Sequence, residues 1–123
     1  MKRVEYIKAK PFVKWVGGKT QLLDEVKKSL PKDLCQQPNL TYIEPFVGGG
    51  AVLFWILQEY PNIRHAIIND INAELICTYR VIKHNVQSLI SELEALQEQY
   101  IALNTEERKS FFIEKRRIYN KKN

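Results

Sequence analysis

The chain has 123 residues, of which 45% are hydrophobic and 27% charged, the size and balance of one globular domain or part of one. No apolar run approaches the roughly 20 residues of a bilayer-spanning helix, and no apolar signal core follows the basic start Met1-Lys2-Arg3-Val4-Glu5, so neither a membrane span nor secretion is expected. The net charge of +5 suits an anionic partner such as nucleic acid, and a solvated, mildly basic surface gives the same count.

Residues 1–10 read as an irregular basic lead-in. The spacing of Leu22, Leu23, Val26 and Leu30 predicts a helix over Thr20 to Leu30, ended by Pro31. Pro31, Asp33, Pro38 and Asn39 then mark a loop. Thr41-Tyr42-Ile43-Glu44 reads as a short strand, Gly48 to Gly50 as a turn, and Ala51 to Tyr60 as a helix stopped by Pro61-Asn62. Ala66-Ile67-Ile68-Asn69 reads as a second short, buried strand. Strand, helix and strand in so few residues form one βαβ unit, whose strands run parallel. Helices follow over Ala73 to His84, Val86 to Tyr100 and, basic and amphipathic, Glu106 to Tyr119. Everything after Asn85 looks helical, which predicts a nucleotide fold in 11–85 with a helical extension in 86–123. Two strands are too few for a doubly wound sheet, so the chain reads as the front part of a larger fold. Cys35 and Cys77 match no metal-binding spacing and read as free thiols in a reducing cytoplasm.

Two glycine-rich turns concentrate the chemistry. The first lies in Lys14-Trp15-Val16-Gly17-Gly18-Lys19 and the second in Glu44-Pro45-Phe46-Val47-Gly48-Gly49-Gly50, and Asp70 stands 20 residues beyond Gly50. An acid about 20 residues after such a turn is how nucleotide-binding α/β folds hold a ribose. Gly18-Lys19-Thr20 imitates the end of a P-loop, but Val13 occupies the place of its first glycine. A dinucleotide fingerprint wants a third glycine where Leu53 stands, and Glu44 would repel a pyrophosphate. S-adenosylmethionine removes both objections. It offers ribose hydroxyls to Asp70, a sulfonium and an ammonium to Glu44, and a carboxylate to Lys19 and the helix start behind it. Trp15 can wall the methionine arm and turn its π face to the sulfonium. Taken singly, Trp15 also reads as a core residue, Lys19 as a solvated one and Asp70 as the N-cap of the next helix.

Pro11-Phe12-x-Lys14-Trp15-x-Gly17-Gly18-Lys19, then Glu44 through Gly50, then Asn69-Asp70-Ile71-Asn72-x-Glu74-Leu75-Ile76 resemble the motifs of the Dam-type DNA adenine-N6 methyltransferases. Phe112-x-x-x-Arg116-x-x-Tyr119-Asn120 is similar to the start of that family's target-recognition region. The resemblance implies a Rossmann-like, S-adenosylmethionine-dependent fold, with 1–85 binding the cofactor and 86–123 opening a helical DNA-recognition region. It implies methyl transfer to adenine in a short double-stranded DNA site, often GATC. It places Trp15, Lys19, Phe46, Gly48, Gly50, Asp70 and Ile71 at the cofactor, Ile71 beside the adenine; Glu44 joins them on its charge. The family's acceptor motif, D-P-P-Y, is absent: none of Pro11, Pro31, Pro38, Pro45 and Pro61 are adjacent. No catalytic residue carries over. The expectation is an N-terminal segment that is inactive alone, or one half of a split enzyme completed by a C-terminal polypeptide. The alternative is a non-enzymatic module that binds nucleic acid or a partner through Lys115-Arg116-Arg117 and the interleaved aromatics Phe111, Phe112 and Tyr119.

Overall fold

The computed structural model describes residues 7–15 and 19–121. The expected Gly17-Gly18 turn, the basic residues Lys2 and Arg3, and Lys122 lie outside the described residues. The chain divides into two compact units, Met1–Ile76 and Cys77–Asn123.

In the first unit, the expected Thr20–Leu30 helix is a 3-10 turn over Lys19–Leu22 followed by α1 (Leu23–Ser29). Leu30 leaves the helix for an extended conformation, because the ring of Pro31 disfavours helical geometry at the residue before it. A 3-10 turn at Leu34–Gln36 interrupts the predicted loop. Asn62 fastens that turn, donating from Nδ2 to the carbonyls of Leu34 (2.8 Å) and Gln37 (2.7 Å).

Strand β1 (Leu40–Glu44) leads through the glycine turn into α2 (Ala51–Glu59), and β2 (Ile63–Ile68) returns beside β1. The two strands are parallel, with Ile43 opposite Ile67 and Glu44 opposite Ile68. The sheet thus has the βαβ pairing that the spacing predicts. Strand β2 starts three residues before the expected Ala66, because Leu40 and Ile63 already pair. Its predicted burial is corrected: Ala66 and Ile67 are exposed, and so is Ile43 across from Ile67. The sheet has only these two strands among the described residues, so an apolar run of the kind that parallel sheets bury on both faces meets solvent.

The core of this unit is Val47, Val52, Leu53, Ile56 and Leu75. The lead-in is tied to α2 by a pair of amide bonds, Ala9 N–H to Gln58 Oε1 (3.0 Å) and Gln58 Nε2 to the Ala9 carbonyl (3.1 Å). An edge-on contact between Phe12 and Phe54 reinforces it.

Helix α3 (Ala73–His84) begins in the first unit, and the division between units falls inside it. Composition alone put the change of character at Asn85, nine residues further on. The second unit holds α4 (Val86–Ile101) and α5 (Thr105–Lys121). At their junction Arg108 donates to the carbonyls of Tyr100 and Ile101, both at 3.1 Å. Those groups are among the carbonyls that a helix end leaves without intrahelical partners. The Tyr100 and Phe111 rings meet there at 6.1 Å. No described helix is long and apolar enough to cross a membrane.

Candidate cofactor site

The site is built where β1 and β2 end side by side. Past Glu44 the chain must turn at once into α2, and the ladder continues only through Asn69 N–H to the Glu44 carbonyl and Val47 N–H to the Asn69 carbonyl, both 2.9 Å. The turn then needs left-handed backbone, which glycine supplies at little steric cost. Gly48 takes φ 54 and Gly50, the N-cap of α2, takes φ 88.

Asp70 closes this turn from the β2 side. Its Oδ2 accepts from the Gly48 N–H and its Oδ1 from the Asn72 N–H, each at 3.0 Å. The helix cap that Asp70 could have provided is made instead by Asn72, whose Oδ1 accepts from the Leu75 N–H at 2.9 Å. A carboxylate has about four acceptor positions. The two backbone bonds therefore leave each Asp70 oxygen with capacity for one more donor.

Trp15 lies directly on the turn. A Cβ on Gly48 would stand 3.2 Å from Trp15 Cδ1, and one on Gly49 would stand 3.3 Å from the Val13 carbonyl oxygen. Trp15 is nonetheless 38% exposed, so it lies over the turn without being a core residue.

Glu44 is buried at 6% exposure, and it is the only buried charged residue among those described. Its Oε1 pairs with Lys19 Nζ at 2.9 Å. Its Oε2 accepts a short hydrogen bond of 2.6 Å from the Tyr42 hydroxyl. Lys19 also donates to the Phe46 carbonyl. Its ammonium thus spans β1 and the turn, while a third of its side chain remains open to solvent. Burial first, then the hydrogen bond and charge of Glu44, push the Tyr42 phenol well above its ordinary range, so it stays protonated as a donor.

The structure therefore brings Trp15, Lys19, Glu44, Gly48, Gly50 and Asp70 to one place. Phe46 and Ile71, each adjoining this cluster in the chain, are 72% and 99% exposed. Sequence reasoning missed Tyr42 and Asn72. The alternation of β1, which puts Tyr42 on the face of Glu44, carried the signal for the first, and an Asn three residues before Leu75 carried it for the second.

A second chemically distinct surface lies on α5. Lys115 stands over the Phe111 ring at 5.2 Å and Arg116 over Phe112 at 5.8 Å. A groove of about 310 Å³ between Leu93, Leu96, Tyr100, Phe111, Phe112 and Lys115 runs beside them.

The family model described as D12 class N6 adenine-specific DNA methyltransferase matches residues 15–123. The chain is 47% identical over 115 residues to the Type II methyltransferase M.MjaIII of Methanocaldococcus jannaschii, covering 94% of this chain and 39% of that protein. It is 38% identical over 91 residues to a DNA adenine methylase of Haemophilus influenzae and 35% identical over 89 to one of Escherichia coli. Those two alignments cover 73% and 72% of this chain, and 28% of each relative. The chain thus spans well under half the length of these curated relatives. No solved structure matches.

Proposed function

The chain belongs to the D12 class of N6 adenine-specific DNA methyltransferases, and from that premise we propose that it is the S-adenosylmethionine-binding part of an enzyme that methylates adenine in duplex DNA. The observation that carries the reading is the convergence of Trp15, Lys19, Glu44 and Asp70 on the Gly48–Gly50 bend. The donor set fits the cofactor. Lys19 and Glu44 form an ion pair whose members match, one for one, the carboxylate and the ammonium of an α-amino acid. A zwitterionic methionine end can replace that pair without leaving either side chain uncompensated, which matters because a buried unpaired charge is costly. The Asp70 oxygens have acceptor capacity for ribose hydroxyls. Trp15 offers an aromatic face to a cation, and Phe46 and Ile71 offer apolar surface to the adenine. The bound cofactor would supply a methyl group activated on a sulfonium; the chain's residues bind and orient it.

In this reading β1, α2 and β2 are the first part of a Rossmann-like sheet. Residues 1–85 serve the cofactor and 86–123 begin the DNA-reading region, with Lys115, Arg116 and Arg117 directed to phosphates. The substrate is adenine in a short site, with GATC as the first to test. The acceptor chemistry comes from a polypeptide segment bearing D-P-P-Y, a motif this sequence lacks. The open apolar sheet positions Ile43 and Ile67 favour completion by further strands from such a segment.

Isothermal titration tests the cofactor assignment. The wild-type chain should bind S-adenosylmethionine, and Asp70→Ala should weaken binding by roughly 1.5–3 kcal/mol, the worth of a charge-assisted hydrogen bond. Unchanged affinity would remove Asp70 from the site. In a radiolabelled methyl-transfer assay on GATC duplex, the 123-residue polypeptide should be inactive alone and active once a polypeptide carrying D-P-P-Y is added. Sustained turnover by the chain by itself would refute the division of labour.

A further inference from the structure

We propose that Tyr42 is a positioning residue that holds the Glu44 carboxylate in place, negatively charged, so that the site prefers a cationic methyl donor over its neutral demethylated product. The inference rests on the cofactor reading above and adds a residue and a selectivity to it.

Tyr42 and Glu44 stand two residues apart on β1, on the same face of the strand. Glu44 is buried and has two hydrogen-bonding partners with different chemistry. Lys19 brings a positive charge and cancels the negative one. It is also partly open to solvent, so an incoming carboxylate can draw it away. Tyr42 brings a neutral hydroxyl on a rigid ring fixed in the sheet, and its 2.6 Å bond to Oε2 is in the range of charge-assisted O–H···O⁻ contacts. It steers the carboxylate without neutralising it. Once Lys19 turns to a ligand carboxylate, Tyr42 is the partner that remains, and Oε1 is released to face the ligand's positive groups. The raised phenol agrees with this, since the hydroxyl keeps its proton and cannot turn into a competing anion.

Removal of the sulfonium methyl converts a cation into a neutral thioether. A fixed carboxylate close by feels that difference; one free to rotate toward water feels it less. The test compares S-adenosylmethionine with S-adenosylhomocysteine by isothermal titration on the full chain. Wild type should prefer the cation, and Tyr42→Phe should lower that preference by about 5- to 10-fold, less than the more than tenfold worth of a whole charge-assisted bond because that bond is made with either ligand bound. Glu44→Gln should abolish the preference, and Tyr42→Phe added to Glu44→Gln should change it no further, as coupling through one carboxylate requires. Replacing Tyr42 with p-aminophenylalanine, which retains a donor at the ring tip, should restore the preference, and it also serves if Tyr42→Phe does not fold. A Tyr42→Phe variant with the wild-type preference, an equal effect in the Glu44→Gln background, or no recovery with the amino analogue would each overturn the role of Tyr42. Wild type that binds both ligands equally would overturn this selectivity alone. Wild type that binds neither would overturn the cofactor reading, and this inference with it.

Discussion

Gly48 holds a left-handed backbone at φ +54, and the place of its missing Cβ lies 3.2 Å from Trp15 Cδ1. Gly48→Ala therefore meets two obstacles at once, an unfavourable conformation and a contact tighter than Trp15 can accept in place. The expected loss is about 1–3 kcal/mol in urea unfolding, and a loss below about 0.5 kcal/mol would show that the bend relaxes easily. Such a constraint is visible in sequence as a run of glycines, and Asp70 is visible by its distance from it. The hold of Asp70 on the backbone is not: a carboxylate that accepts from both the Gly48 and Asn72 N–H groups can be recognised only once the two strand ends stand together. Tyr42 is likewise silent in sequence, because a tyrosine in a strand has many uses. Its titration gives a second measurable consequence. Burial and Glu44 raise the phenol above its ordinary value of 10.0. The folded chain then holds that proton to higher pH than the unfolded chain. The stability so contributed is complete below about pH 10 and falls as the pH climbs beyond it. The thermal midpoint of wild type should decline more steeply above that pH than the midpoint of Tyr42→Phe, whereas parallel declines would mean that folding does not raise the phenol.

Most elements were legible as periodicities, since α2, α3, α4 and α5 each carry a run of helical spacing bounded by Gly, Asn or Pro. The first helix and the start of β2 were less so. Seven residues of α1 are too few for a stable independent period, and the first residues of β2 are fixed by pairing with β1, a long-range fact. Helix α5 shows how a local signal can decide an element. Asn104 Oδ1 accepts from the Glu107 N–H at 2.9 Å, and Glu107 Oε1 accepts from the Asn104 N–H at 3.0 Å. This reciprocal capping box satisfies two donors at the start of a helix that has no buried residue. With no core to hold it, α5 depends on such end contacts more than α2 does. Asn104→Ala should cost about 0.5–2 kcal/mol, seen as reduced helical ellipticity and faster amide exchange over Thr105–Ser110. Exchange unchanged in that first turn would place the support for α5 elsewhere.

Across the molecule, apolar surface is distributed in a way that a self-sufficient α/β domain does not tolerate. Parallel sheets occur with both faces covered, and strand edges left open recruit other chains. Here the sheet has two strands among the described residues, with Ile43 64% and Ile67 56% exposed in register across it. Relatives of which this chain spans 39% or 28% have the length to supply more strands and covering helices. The sequence shows both positions as apolar but not as bare, because hydrophobicity alone predicts burial for the Ala66–Asn69 run that holds Ile67 and gives no sign of solvent at Ile43. At high concentration, with no complementing segment, the strands should find each other. Light scattering on the purified 14.5 kDa chain should show concentration-dependent self-association, and Ile43→Lys with Ile67→Lys should return it to a monomer while the circular dichroism spectrum stays the same. The same double substitution should block activation by an added segment bearing D-P-P-Y, because the charges would then lie where its strands dock. A wild-type chain that stays monomeric at every concentration, or a double variant that is still activated, would show that this sheet face is not where the fold is completed.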